Sequence, residues 1–418
     1  QEDLSVAGRL EPFFTKQTRG PALRTLLSAR VAGRGRGAEG TLQNQDFGKA
    51  GWLEFEGPGR RVTASLDVKR GQVQPGGRVE VEDAPLRVGF AGFIVEGQAT
   101  ARLETVASDG DALADADVEV AFTEYGIRRE AEGPSVLTGE GLIVEARSPA
   151  ELLRFPPEDF DGRIELGRAE FADLTFVNDF IPAGADLVVE GGGATVQGHF
   201  ETGGRDAHCR GSLEIVTTEL ALAAAGIEYA GDAAVTVAVP DGNLRERTFR
   251  LDGTRVTLDR FAFTSPGSGE APPNWTGQLS VTEGGLDLGE GAATDARLAI
   301  AMSDSRPLVA FLSRGKPLSG WKKKLLTIEE IAGEGDLEWK RKTLTLRHVE
   351  VRGGSLAIRV RGLLGPAGAL GKALVRYGIL EAGIGLKGKE RTVKLLGPTG
   401  WYEKDDIPGL PPLSAAPR

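Results

Sequence analysis

Alternation of apolar and polar residues is the clearest pattern in the chain, and it is strongest between residues 333 and 362. Leu337 and Trp339 alternate with charged residues, and Leu356 and Ile358 do so again after a glycine-containing turn. A period of two places one face of a strand against apolar surroundings and the other in water. This segment therefore predicts three consecutive antiparallel strands, a β-meander.

One residue breaks the alternation inside this meander. Leu344 and Leu346 are two positions apart, but Val349 resumes the pattern only after three, with His348 between them. A single extra residue in an otherwise regular strand is typical of a β-bulge. We therefore expect a bulge at His348.

Most of the chain has similar segments, separated by glycine, proline, aspartate or asparagine. Short helices are predicted at Pro21–Val31, at Ser148–Phe155 with Ser148 as cap and Pro149 at its first position, within 303–326, and at the start of 363–386. The predicted segments are an irregular 1–50, a meander over 51–302, a helical interruption over 303–326, a second meander with a short helix over 327–396, and a tail over 397–418.

The fold class predicted by these segments is mainly β: a long antiparallel meander, curled into an elongated open groove, with a few short helices. A sheet with an apolar face must cover it or leave it open as a groove, and a sheet of many strands must curl or close. The alternative is a set of stacked β-sandwiches, in which the same apolar residues form a closed core. The candidate groove residues are Val235, Val237, Val239, Leu298, Ile300, Leu344, Leu346, Leu356, Ile358 and Val360.

Composition adds little chemistry to this picture. The 59 glycines indicate many turns, and the single cysteine, Cys209, allows no internal disulfide. His208 and Cys209 are neighbours and would point to opposite faces of a strand, whereas His199 could meet Cys209 across a hairpin. No elbow or oxyanion motif accompanies them, so we expect a buried structural thiol, no enzyme activity, no cofactor and no metal site.

Charge is distributed unevenly. The chain carries a net charge of −10, whereas residues 314–394 hold 18 lysines and arginines against 8 acidic residues, which gives +10 there and −20 elsewhere. Such a basic region suits an anionic membrane or an acidic protein, and a solvated basic sheet face explains it as well. Trp321 with Lys322, Lys323 and Lys324 is the predicted membrane-interface element. Nucleic acid is not an expected partner of this acidic chain.

A resemblance gives these observations a functional direction. The glycine-punctuated strands that end in GEGDLEWKRKTLTLRHVEVRGGSLAIRVRG, followed by a Gly/Ala/Leu segment, resemble the AsmA-like/TamB superfamily of bacterial envelope proteins over residues 141–394. The resemblance implies a taco-shaped sheet whose hydrophobic concave groove carries phospholipid across the periplasm. Members usually start from an inner-membrane helix, but no uncharged apolar run of 18 residues occurs here, so membrane attachment is expected through a segment outside this sequence.

Two functions follow as expectations. The first is non-catalytic lipid transfer or outer-membrane biogenesis, with a phospholipid or another long-chain lipid in the groove and with a membrane surface or envelope proteins as partners. The second is a structural or interaction scaffold, a β-rich subunit of a larger envelope or membrane complex, whose apolar face is dry.

Overall fold

Antiparallel strands account for most of the chain in the computed structural model. The structure describes residues 4–10, 27–36, 53–55, 61–69, 72–90, 93–107, 114–129, 135–149, 161–179, 181, 187–203, 207–224, 227–265, 269–270, 274–289, 293–307, 328–340, 343–365, 368–388, 390–404 and 406–410. The chain divides into an N-terminal unit, Gln1–Phe171 with Val196–Arg210, and a C-terminal unit, Ala172–Thr195 with Gly211–Arg418.

Among the described residues of the first half of the chain there are twelve strands and a 3₁₀ helix. The strands are β1 (Leu4–Leu10), β2 (Leu27–Arg36), β3 (Leu53–Phe55), β4 (Arg61–Lys69), β5 (Gln72–Val73), β6 (Arg78–Phe90), β7 (Phe93–Ala107), β8 (Ala114–Arg128), β9 (Leu137–Pro149), β10 (Asp161–Phe171), β11 (Leu187–Gly203) and β12 (His208–Ala224), and the 3₁₀ helix is Leu174–Asp179. In the N-terminal unit β1 pairs with β2, β2 with β4, β4 with β6, and each strand from β6 to β10 with the next, all antiparallel.

The second half continues in the same way. Its strands are β13 (Ile227–Asn243), β14 (Thr248–Arg250), β15 (Arg255–Ser265), β16 (Gly269–Glu270), β17 (Trp275–Asp287), β18 (Ala293–Asp304), β19 (Glu329–Lys340), β20 (Thr343–Gly353), β21 (Leu356–Gly365), β22 (Gly368–Tyr377), β23 (Leu380–Lys387) and β24 (Glu390–Lys394), and the helix α1 is Pro398–Tyr402. β13 pairs with β15, β15 with β17, and every strand from β17 to β24 with the next, antiparallel throughout.

The predicted meander is therefore confirmed, and so is the bulge. Asp336 lies opposite His348 but Leu337 lies opposite Leu346, so Arg347 and His348 take the place of one residue and form the bulge on β20. The same shift occurs against β21, between Leu346 and Val349. Because the bulge absorbs one residue, the apolar residues on both sides of it keep one face.

Three predicted helices are wrong where the structure describes their residues. Residues 27–31 belong to β2, and Ser148 and Pro149 end β9 rather than start a helix. The described residues of the stretch 363–386 belong to the strands β21, β22 and β23 and to the turn between β22 and β23. Residues 21–26 and 150–155 lie outside the described residues, as does 308–326 of the predicted helical interruption.

The end of the described chain packs on the sheet. Pro398 and Tyr402 of α1 are buried, and so is Ile407 after it. We call residues 398–404 with 406–410 the C-terminal strap. The sequence had indicated only a tail from residue 397 onward.

Candidate functional site

One apolar face runs across the sheet of the C-terminal unit. Residues directly opposite each other on paired strands share a face, so the pairings can be followed from strand to strand. One such row contains only apolar residues and glycine from β13 to β23: Val235, Val256, Leu279, Ile300, Gly333, Val351, Ile358, Val375 and Ala382. We call the side that carries this row the apolar face.

The residues predicted to line a groove all lie on this face. Leu298 and Val360 belong to the next row, which runs through Gly335 and Val349. Leu346, Leu344 and Leu356 belong to further rows of the same side, through their partners Gly362, Leu364 and Gly353. Val237 and Val239 follow Val235 at a period of two along β13.

Part of the face is buried and part is half-buried. Leu356 and Ile358 are 2% and 3% exposed, and they form a buried cluster with Ile331 and Val351. Ile300, Met302, Val360 and Val375 pack against this cluster. Most of these side chains come from consecutive strands, β18 to β22, so neighbouring strands of one sheet bury each other. Val235, Val237, Val239, Leu344 and Leu346 are half-buried.

Glycines on this face let neighbouring strands approach unusually closely. A Cβ added to Gly333 would lie 2.3 Å from the Glu350 carbonyl oxygen, and one on Gly362 would lie 2.7 Å from that of Leu370. The adjacent strand thus occupies the space in which a side chain would stand. We infer that the sheet bends towards the apolar face at these positions.

Gly362 and Gly371 face each other and leave a small hollow in the apolar face. Their row runs from Leu346 through both glycines to Leu386 and ends at Arg391 on β24. The hollow has a volume of about 40 Å³, and it is lined by aliphatic residues and glycine together with Arg361 and Arg391. Its size suits a methyl or methylene group. The Arg391 guanidinium donates hydrogen bonds to the carbonyl oxygens of Gly388 and Glu390, at 3.2 and 2.9 Å.

The opposite side of the same strands, which we call the back face, is polar and is covered by the C-terminal strap at β22 and β23. Lys372 is buried there, and its ammonium donates to the Trp401 carbonyl at 2.8 Å and the Lys404 carbonyl at 3.0 Å, and pairs with the Asp406 carboxylate. The ammonium also lies 4.9 Å from the centre of the Trp401 ring. Lys372 therefore fastens the strap with hydrogen bonds, an ion pair and a cation–π contact.

The strap shifts the pKa of the groups that hold it. The hydrogen bond from Lys372 lowers the pKa of Asp406, and the hydrogen bonds from Thr399 and then from Arg376 lower the pKa of Glu381. Burial raises the pKa of Tyr402 to about 12. At pH 7 the carboxyls of Asp406 and Glu381 are therefore ionised, and the phenol of Tyr402 is neutral.

Several of the basic residues counted from the sequence are paired on this sheet. Arg347 donates to Glu338 at 2.6 Å, and Arg352 donates to Glu350 at 2.6 Å. Burial of Glu350 opposes its ionisation, but Arg352 and Arg359 outweigh that effect and lower its pKa. A part of the basic charge is therefore neutralised locally.

The N-terminal unit also has two distinct faces. Val81, Ala101, Val120, Val144 and Ile164 form an apolar row across β6 to β10. Its other side carries a charged row and a shallow depression of about 540 Å³ that is lined mainly by acidic residues and arginines, including Arg102, Asp117, Glu145, Arg147 and Arg163. Arg147 donates to Asp117 at 2.6 Å, which raises the pKa of the guanidinium.

The residues considered for chemistry lie on three strands, β11, β12 and β20. Cys209 is buried and forms no disulfide, and its neighbour His208 is exposed, so the two point to opposite faces as expected. His199 lies on β11, and His348 lies at the bulge of the other unit. Within the described ranges no group of three or more His, Cys, Asp or Glu side chains is arranged to hold a metal ion.

The predicted membrane-interface residues Trp321, Lys322, Lys323 and Lys324 lie outside the part of the chain that the structure describes. Among the residues described, none of the helices has the length and apolar character to span a membrane.

Sequence reasoning missed three features of this region. Gly371 lies in the stretch 363–386, which was interpreted as partly helical, Gly362 was only the last residue of the predicted meander, and Arg391 gave no periodic signal. Lys372 interrupts an apolar stretch and argues against a membrane span, but a lysine inside an apolar run also indicates a buried, paired charge. The strap residues that bind Lys372, such as Trp401, lie about thirty residues further along the chain.

Comparison of the chain with protein-family models, with curated proteins and with solved structures gave no match.

Proposed function

We propose that this chain is a non-enzymatic lipid carrier that holds acyl chains against the apolar face of the C-terminal unit. The single observation that supports it most is the uninterrupted apolar row from Val235 to Ala382 across nine paired strands. A surface of this extent without charge favours an apolar ligand that needs no fixed polar anchor.

The chemistry of the face favours acyl chains over aromatic ligands. Its members are mostly valine, leucine, isoleucine, alanine and glycine, and the hollow at Gly362 and Gly371 has room for a methyl or methylene group. Half-buried residues such as Val237 and Leu344 keep accessible apolar area that a ligand would remove from water. Each buried methylene contributes about 0.8 kcal/mol, so an acyl chain gains affinity along its length.

The resemblance to the AsmA-like/TamB superfamily supports the wider setting of the proposal. It favours a location in a bacterial cell envelope, in the periplasm and associated with a membrane, where the chain would take part in lipid transfer or outer-membrane biogenesis. The proposed ligand is a phospholipid or another long-chain lipid, and the proposed partners are a membrane surface or envelope proteins.

The test is mass spectrometry of organic extracts from protein purified gently from its native host. We expect stoichiometric long-chain lipid, lost in Val237→Asp and Leu344→Asp but kept in Thr236→Asp and Thr345→Asp, whose side chains point to the other face. Ile358→Asp is less suitable, because a carboxylate at a site 3% exposed should unfold the protein. Well-folded wild-type protein without lipid would contradict the proposal.

A scaffold function is the second candidate, and a separate observation favours it. Large apolar side chains are exposed around the last two strands of the C-terminal unit: Ile379, Leu380, Val393, Leu395 and Leu396. Exposed apolar groups concentrated in one region mark interaction surfaces. A chain that forms a stable complex through these residues, and carries no lipid, would fit this second function.

A further inference from the structure

β24 has the features of an interaction edge. Among the described residues it pairs only with β23, so its other side has amide and carbonyl groups without a neighbouring strand. Val393, Leu395 and Leu396 are 63%, 70% and 94% exposed. Unpaired backbone groups at a sheet edge form a template for pairing with a strand of another chain.

The pairing with β23 determines which backbone groups face outward. Lys387 lies opposite Glu390 across a two-residue connection, so these two residues form the hydrogen-bonded pair that closes the hairpin. Hydrogen-bonded and non-hydrogen-bonded pairs then alternate along the strand. The amides and carbonyls of Arg391 and Val393 therefore point away from β23, towards the open edge.

We propose that β24 pairs antiparallel with β24 of a second copy of this chain, about a twofold axis at Thr392. In this register Arg391 lies opposite Val393 of the other copy, and both residues have outward-facing backbone groups. Glu390 lies opposite Lys394, and the symmetry makes that ion pair twice. A self-complementary edge of this kind is what a closed dimer requires.

Charge selects this register over the alternatives that the backbone allows. An axis at Arg391 places two guanidiniums opposite each other, which is destabilising. An axis at Val393 places Lys394 opposite Thr392 and leaves Glu390 without its cation. The Thr392 axis alone among these three pairs the oppositely charged ends of the strand, GluArgThrValLys.

The dimer joins the apolar faces of the two copies. Val393 lies opposite Ile384 and Arg391 opposite Leu386, so both β24 residues belong to the apolar face. The pairing itself uses backbone groups and the Glu390–Lys394 charges, and does not depend on bound lipid.

Cysteine cross-linking of the full chain tests the register. In the background Cys209→Ala, Thr392→Cys should form an intermolecular disulfide, since a non-hydrogen-bonded pair has Cα atoms about 4.5 Å apart, within the range for disulfides. Val393→Cys is the matched control and should form none. Cross-linking at Val393 in place of Thr392 would overturn this register.

Charge reversal tests whether the partner is a second copy of this chain. Sedimentation velocity over a concentration series should show a dimer, weakened about tenfold in Glu390→Lys and in Lys394→Glu, and restored when the two reversals are combined. Circular dichroism should show every variant folded, because both residues are exposed. A wild-type chain that stays monomeric throughout the series would refute the proposal, whether or not lipid is bound.

Discussion

Individual glycines determine how closely the strands of the apolar face approach one another. Gly362 and Gly371 are directly opposite, and each occupies a place where the neighbouring backbone leaves no room for a Cβ. A sheet with ordinary side chains at both positions would have to separate there. Since the same pair forms the hollow lined by Leu346 and Leu386, one local feature accounts for both the bend and the hollow.

Gly362→Ala should therefore destabilise the fold. The new Cβ would meet the Leu370 carbonyl oxygen at 2.7 Å and the Gly371 Cα at 2.9 Å, and backbone atoms cannot move aside cheaply. We expect a loss of about 1–3 kcal/mol in the free energy of unfolding, measured by urea titration. Gly400→Ala in α1 is the control, because nothing lies within 4 Å of its added Cβ. Equal stability of the two variants would contradict the close approach.

At the scale of the element, the bulge in β20 matters most, because it keeps the apolar residues of both halves of the strand on the same face. Without its extra residue, Leu344-Thr-Leu-Arg would continue directly into Val349-Glu-Val in perfect alternation. Both partner strands show the same one-residue shift, so the bulge is a property of β20 itself.

Deletion of His348 should consequently be tolerated. The shortened strand can pair regularly with β19 and β21 while Val349 and Val351 stay on the apolar face, so we expect a change below about 1 kcal/mol in urea unfolding. Deletion of Glu350 is the matched control. It places either Val349 or Val351 on the back face and should cost more than about 2 kcal/mol. The reverse order of the two effects would show that the bulge does not set the register.

The strap provides a pH-dependent contribution that can be isolated. The folded-state pKa of Asp406 is lowered, so its ion pair with Lys372 stabilises the fold above the unfolded pKa of about 4 and is lost as the pH falls through the lowered value. Asp406→Asn should thus be less stable than the wild type at pH 7, and the two should converge in acid. Urea titrations at several pH values measure this, with Glu403→Gln as control. A constant difference at every pH would rule out the ion pair.

The success of sequence reasoning depended on how each strand is covered. β19 and β21 have one apolar and one polar side, so alternation predicted them and placed Ile358 and Val360 on the correct face. β22 is buried on both sides. Ala373 lies on the apolar face, and Lys372 and Leu374 lie on the back face, which the strap covers at this strand. Alternation disappears in such a strand, and its Gly/Ala/Leu run was interpreted as helix. The strap itself joins residues too far apart in sequence for any local pattern to reveal.

At the scale of the whole molecule, charge is the property on which the proposed membrane contact rests. The net charge of −10 conceals the basic stretch 314–394, and the structure pairs several of its arginines with carboxylates. Lys322, Lys323 and Lys324, which follow Trp321 in the sequence, remain the proposed contact with anionic lipid.

Lys322→Gln, Lys323→Gln and Lys324→Gln in combination should weaken binding to vesicles that contain anionic phospholipid. Each lysine near such a surface contributes about 1 kcal/mol, so the triple variant should bind on the order of 100-fold more weakly in a sedimentation assay at physiological salt. The control removes the same charge from exposed sites elsewhere, as Lys69→Gln, Lys340→Gln and Lys387→Gln. If net charge alone governed binding, both triple variants would weaken it equally, so equal loss would contradict a defined interface at Trp321. Binding that high salt does not reduce would contradict an electrostatic contact altogether.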